Sequence, residues 1–139
     1  MIDLTSKDLL AALIAPRSVA LIGASASEDK LTARPLTFLR RHGFAGQIFP
    51  VNPARPTVMG LPAFATVSEI PAPVDHAYIL LDAVPAIVAL EDCARAGVKV
   101  VSILADGFAE AGEAGRALQD RLTAIARDAG ILLIGQRRR

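Results

Sequence analysis

The sequence predicts an α/β domain: a Rossmann-like, doubly wound, mainly parallel five-stranded sheet with helices on both faces. Three observations predict it. Short apolar runs alternate with helical segments about five times along the chain, the rhythm of strands joined by crossover helices. The run Ala77–Leu81 is continuously apolar, as a strand buried on both faces requires, and Val98–Leu104 reads as another buried strand. Hydrophobic residues make up 53% of the 139-residue chain but aromatic ones only 4%, so the core is built of Ala, Val, Ile and Leu. That composition suits a sheet wrapped by helices better than an aromatic-rich sandwich.

The elements follow in order. Thr5 or Ser6 caps a short helix through about Leu13, with Leu9, Leu10, Leu13 and Ile14 on one face, and Pro16 stops it. Strand one covers Ser18 to Ile22. After a loop of small residues, Pro35 opens a helix that continues to about His42. Gly43 and Gly46 bracket a turn into strand two, Gln47 to Val51, which ends at Asn52-Pro53. Ala54 to Pro73 is proline-rich and loop-like, with a helical turn near Val67 to Ile70. Ala77 to Leu81 is the next strand. Pro85 opens a helix to about Ala96, and Gly97 stands where a left-handed C-cap belongs. Val98 to Leu104 is another buried strand. Gly112 to Ala129 is the longest helix, with Ala117, Leu118, Leu122, Ile125 and Ala126 as its apolar stripe. Gly130 repeats the C-cap, and Ile131 to Ile134 is the last strand.

Bulk properties exclude several classes of function. The length fits one domain, taken as residues 1–135, followed by a basic tail, 136–139, expected to be disordered. A net charge of +1 supplies no electrostatic footprint for nucleic acid. The lone Cys93 rules out an internal disulfide framework and a cysteine-built zinc site, and no metal site is expected. No cleavable leader pattern precedes Asp3 and no apolar run reaches ~18 residues, so a cytoplasmic protein with no membrane partner is expected.

In a doubly wound sheet, ligands sit beyond the carboxyl ends of the strands, near the point where strand order reverses. The residues there are Gly23 to Ser27, Asn52 to Arg55, Leu81-Asp82 and Ala105 to Gly107. The run Ser18-Val19-Ala20-Leu21-Ile22 leads straight into Gly23-Ala24-Ser25-Ala26-Ser27. Small side chains there let backbone N–H groups approach a phosphate. A dinucleotide such as NAD is the first ligand to test. The G-x-G-x-x-G pattern is missing, because Ser25 and Glu28 hold the later glycine positions. Strand two ends in Val51-Asn52-Pro53 where an acidic residue would grip a ribose diol. Asn52 could still hydrogen-bond a sugar, so an NAD(H)-binding sensor stays as an alternative.

The run Ile14-Ala15-Pro16-Arg17-Ser18-Val19-Ala20-Leu21-Ile22-Gly23-Ala24-Ser25 resembles the opening of the CoA-binding domain of NDP-forming acyl-CoA synthetases, relatives of the succinyl-CoA synthetase alpha subunit. Arg34-Pro35-Leu36, Gly43-Phe44-Ala45-Gly46, Phe49-Pro50-Val51-Asn52-Pro53 and Gly107-Phe108-Ala109-Glu110 extend the likeness, in order, over nearly the whole chain. The resemblance implies binding of coenzyme A or an acyl-CoA. It implies that Gly23, Ala24, Ser25 and Ser27 contact the CoA phosphates. It sets Val51, Asn52 and Pro53 beside the adenosine, with Arg55 meeting the ribose phosphate. Leu81, Asp82, Ala105, Asp106 and Gly107 would line the path of the pantetheine arm. A cation after strand two fits a ligand that carries a 3′-phosphate.

The resemblance also has departures. Family members usually continue into a second domain bearing a phosphorylated histidine, whereas this sequence reads Gly135-Gln136-Arg137-Arg138-Arg139. The expectation is therefore a CoA-binding module with no catalytic residues of its own. The alternative is a non-catalytic subunit or fragment of an acid–CoA ligase (NDP-forming) that acts with a partner chain carrying the remaining domains. The loop around Glu28-Asp29-Lys30 lacks the glycine-rich stretch common in relatives. Asp82 and Asp106 follow strands, where acidic residues equally serve as helix caps. His42 and His76 have no evident catalytic partner, and Cys93 reads as a small buried residue.

Overall fold

β-Branched and aliphatic residues in runs of about five give the strands, and glycines end the helices. The computed structural model describes residues 15–23, 44–58, 60–104 and 112–136. In chain order its elements are β1 (Ser18–Ile22), β2 (Gln47–Val51), β3 (Thr57–Val58), β4 (Leu61–Pro62), a 3₁₀ turn (Val67–Glu69), β5 (His76–Ile79), α1 (Ala83–Ala96), β6 (Val100–Leu104), α2 (Glu113–Ala129) and β7 (Leu132–Gln136). Gly97 and Gly130 take the left-handed conformation at the ends of α1 and α2, as their positions predict.

Five strands form one sheet in the order β2-β1-β5-β6-β7. Every pairing is parallel: Ala20 lies between Phe49 and Ala77, Ala77 opposes Val101, and Val101 opposes Leu133. All five residues of β1 are buried, which is why that strand carries no polar alternation. From β2 to β5, β5 to β6 and β6 to β7 the chain advances across the sheet in one direction. Right-handed crossovers must then lie on one face. They do: Val67 and Ile70, the α1 residues Ala86, Ile87, Leu90 and Cys93, and Leu122 and Ala126 of α2 share one core with Ala20, Ile22, Ala77, Ile79, Val101 and Ile103.

The opposite face is covered differently. Leu21 and Leu80, with half-buried Ile48 and Tyr78, pack against Val58, Leu61 and Ala63 of the β3–β4 hairpin. Both described helices thus sit on the first face, while the helices expected over 5–13 and 35–42 fall outside the described residues. Beyond β2 the chain closes the sheet edge. The Phe64 N–H donates to the Pro50 carbonyl at 3.0 Å, and the Asn52 N–H donates to the Phe64 carbonyl at 2.8 Å. Pro50 has no N–H to offer an edge, so the edge is where a proline can stand in a strand.

The 3₁₀ turn is fastened to α1 by a buried acid. Asp92 accepts the Val67 N–H at 2.7 Å and the Ser68 hydroxyl, with the Arg95 guanidinium 3.8 Å away. Among the described residues no helix is long and apolar enough to cross a membrane.

Candidate functional site at the carboxyl edge

Taking only the five long strands, the order runs second, first, third, fourth, fifth. Succession reverses between β1 and β5, the point at whose carboxyl edge open α/β sheets generally bind ligands. Gly23 closes β1 at this point with φ +88°. A Cβ there would lie 2.7 Å from the Leu80 carbonyl oxygen and 2.7 Å from Leu81 Cδ2. Conformation and space both demand glycine, and together they press the ends of β1 and β5 against each other. The Leu80 N–H donates to the Ile22 carbonyl at 2.8 Å.

The Gly23 N–H donates to the Val51 carbonyl at 3.0 Å. This amide is therefore committed to the fold. The same bond places the end of β2 beside that of β1. The Val51 side chain is buried in the core, and the chain emerges at half-buried Asn52 and exposed Pro53. Asn52 shapes the turn that follows: its side-chain carbonyl accepts the Ala54 N–H at 2.9 Å, and its backbone carbonyl accepts the Arg55 N–H at 3.4 Å. This is an Asx turn, which asparagine forms readily. It brings Arg55 out as an exposed cation beyond β2.

After β5, Leu81 is half-buried against the core, and exposed Asp82 stands at the N-cap of α1. The Asp82 backbone carbonyl accepts the Ala86 N–H at 2.8 Å, but its carboxylate makes no capping hydrogen bond. The structure thus brings Gly23, Val51, Asn52, Pro53, Arg55, Leu81 and Asp82 to one edge. Ala24, Ser25, Ser27, Ala105, Asp106 and Gly107 lie outside the described residues, as do His42 and Arg137 to Arg139.

The described histidine and cysteine stand apart from this edge. His76 begins β5, roughly 13 Å of strand from Leu80. It is buried, with Nε2 2.8 Å from the Ser102 hydroxyl and its ring stacked on Tyr78. Burial, with Asp92 adding to it, pushes the Cys93 thiol up to about 12, so it stays protonated and inert at neutral pH. Among the described residues no cluster of His, Cys, Asp and Glu could hold a metal ion.

The hairpin beside the site was not expected from the proline-rich sequence. Val58 and Leu61 pair across a two-residue connection whose second residue is Gly60, at φ +83°. That spacing was a signal for a hairpin, hidden by the prolines around it.

The chain is 39% identical over 132 residues to the acetate–CoA ligase [ADP-forming] I alpha subunit of Pyrococcus furiosus, covering 91% of this chain and 28% of the relative. It is 38% identical over 125 residues to acetate–CoA ligase [ADP-forming] II of Archaeoglobus fulgidus, covering 88% of this chain and 18% of that protein. The solved acetyl-coenzyme A synthetase 1 of Ca. Korarchaeum cryptofilum superposes with a TM-score of 0.85 at 32% identity, over 91% of this chain and 27% of that one. The chain thus spans under a third of each of these proteins. A family model for a CoA binding domain matches residues 17–137, and with its five-stranded Rossmann-like sheet the chain belongs to that CoA-binding domain family.

Proposed function

We propose that this chain binds coenzyme A, free or acylated, across the carboxyl edge at the β1/β5 reversal, and that it makes and breaks no bonds alone. The observation that carries the reading is the family match over residues 17–137, which includes each strand end at that edge. In this reading Gly23, Ala24, Ser25 and Ser27 form the turn that holds the pyrophosphate. Gly23 sets the backbone path and the following amides donate. Val51, Asn52 and Pro53 border the adenosine, and Arg55 meets the ribose 3′-phosphate. Leu81, Asp82, Ala105, Asp106 and Gly107 border the pantetheine arm.

Physical chemistry supports these roles. A guanidinium gives a phosphate two parallel charge-assisted bonds, whereas a dinucleotide's ribose diol would want a carboxylate after β2. Asn52 stands there instead, with its side-chain oxygen turned back to the Ala54 N–H. Thermal melting of the full chain tests the reading. CoA at a hundredfold excess over its Kd should stabilise by about 2.7 kcal/mol, or roughly 10 °C. NAD should give no shift. A shift with NAD and none with CoA would move the chain to the dinucleotide-sensor reading.

The 28% span of the Pyrococcus alpha subunit supports a second, compatible role. Here the same module presents CoA to a partner chain or further domains that carry the phosphorylated histidine and the nucleotide site. Copurification of such a partner with the tagged chain supports this role, and a solitary protein counts against it.

A further inference from the structure

Beside the proposed CoA site lies a packing feature with no role in that reading. Val58 of β3 is 0% exposed and clusters with Leu21 and Leu80. Both partners belong to the site's own framework. Leu21 precedes Gly23 by two residues in β1, and Leu80 leads directly into Leu81-Asp82. The Leu80 carbonyl is also the group that leaves no room for a Cβ at Gly23.

Val58 is at the same time three residues from Arg55. The segment between is tied at both ends. On one side Asn52 holds Ala54 through the Asx turn at 2.9 Å. On the other, the Pro56 carbonyl accepts the Ala63 N–H at 2.9 Å and closes the base of the hairpin. Arg55 therefore rides between a turn fixed to β2 and an apolar plug fixed to β1 and β5.

We infer that Val58 is a positioning residue for the ligand's 3′-phosphate: by plugging the hairpin between Leu21 and Leu80 it fixes the loop that bears Arg55, and so sets the preference for CoA over 3′-dephospho-CoA. The inference rests on the CoA reading above. An exposed arginine on an unanchored loop must be ordered when it binds, and that entropy subtracts from affinity; a loop already fixed avoids the loss. Val58 is fully buried, so any effect it has on the 3′-phosphate passes through the loop that bears Arg55.

Calorimetric titration of the full chain with CoA and with 3′-dephospho-CoA tests this, using Val58→Ala, Arg55→Ala and the double variant. The unsubstituted chain should prefer CoA by roughly tenfold. Val58→Ala should cut the preference to about threefold while the dephospho-CoA Kd stays within about twofold. The double variant should discriminate no less than Arg55→Ala alone, because both act on one contact. If Val58→Ala weakens both ligands equally, or leaves the preference intact, the inference is overturned and the CoA reading stands. If the unsubstituted chain binds neither ligand, the CoA reading falls and takes this one with it. Should Val58→Ala not fold, Leu61→Ala, half-buried against the same cluster, carries the same expectations and the same refutation.

Discussion

Gly23 shows how one residue ties sequence to site. Its place after an apolar run and before small side chains marks it in the sequence as a strand-to-loop glycine. Its commitments were not legible there. That its amide serves Val51, and that a Cβ would strike Leu80, depend on the register of β1 against β2 and β5, which arises from pairing between distant segments. The prediction for Gly23→Ala follows from those contacts. A side chain would meet both an unfavourable φ and a backbone carbonyl that cannot rotate away. Urea denaturation should show a loss of about 2–4 kcal/mol, against about 0.5 kcal/mol for an ordinary exposed substitution. A loss under about 1 kcal/mol would mean that the turn can relax and that the glycine does not lock the strand ends. Asp82 shows the converse. Its position after β5 favours capping at least as much as ligand contact, yet the carboxylate makes no cap bond.

Among the elements, the long ones were legible and the short ones were not. β1 and β2 match the expected boundaries, and α1 and α2 keep their glycine C-caps. α1 begins at Ala83, two residues before the proline expected to open it. Pro85 still falls in the first turn, where its missing N–H has no helical partner to lose. β7 extends two residues past Ile134 because β6 offers a partner as far as Leu104. The β3–β4 hairpin escaped because its strands are two residues each, too short for any periodicity. The bond between α1 and the 3₁₀ turn escaped for another reason: nothing in the sequence says that Asp92 faces inward. Asp92→Ala strands a buried Val67 N–H and should cost about 2–3 kcal/mol. Ser68→Ala should cost about 1 kcal/mol, because it removes one hydrogen bond while Asp92 keeps the Val67 N–H and the nearby Arg95 guanidinium. Equal costs in denaturant titration would contradict the role of Asp92 as the clamp on that turn.

For the whole molecule, alternation of apolar runs and helices was enough to give a parallel α/β sheet, but strand order was not in the pattern. The order fixes where succession reverses and therefore which loops meet. It brings the ends of β1, β2 and β5 together and leaves a groove of ≈ 360 Å³ between α1 and α2, lined by Glu91, Ala94, Arg95, Ile125, Asp128 and Ala129, on the helical face. These two regions make the central claim testable by location. The most direct measurement is amide chemical-shift mapping of the isotopically labelled full chain during titration with CoA. CoA bound at the strand-order reversal predicts saturable shifts at Gly23, Asn52, Ala54, Arg55, Leu81 and Asp82, with the α1–α2 groove silent. Shifts confined to that groove, or none at millimolar CoA, would contradict it.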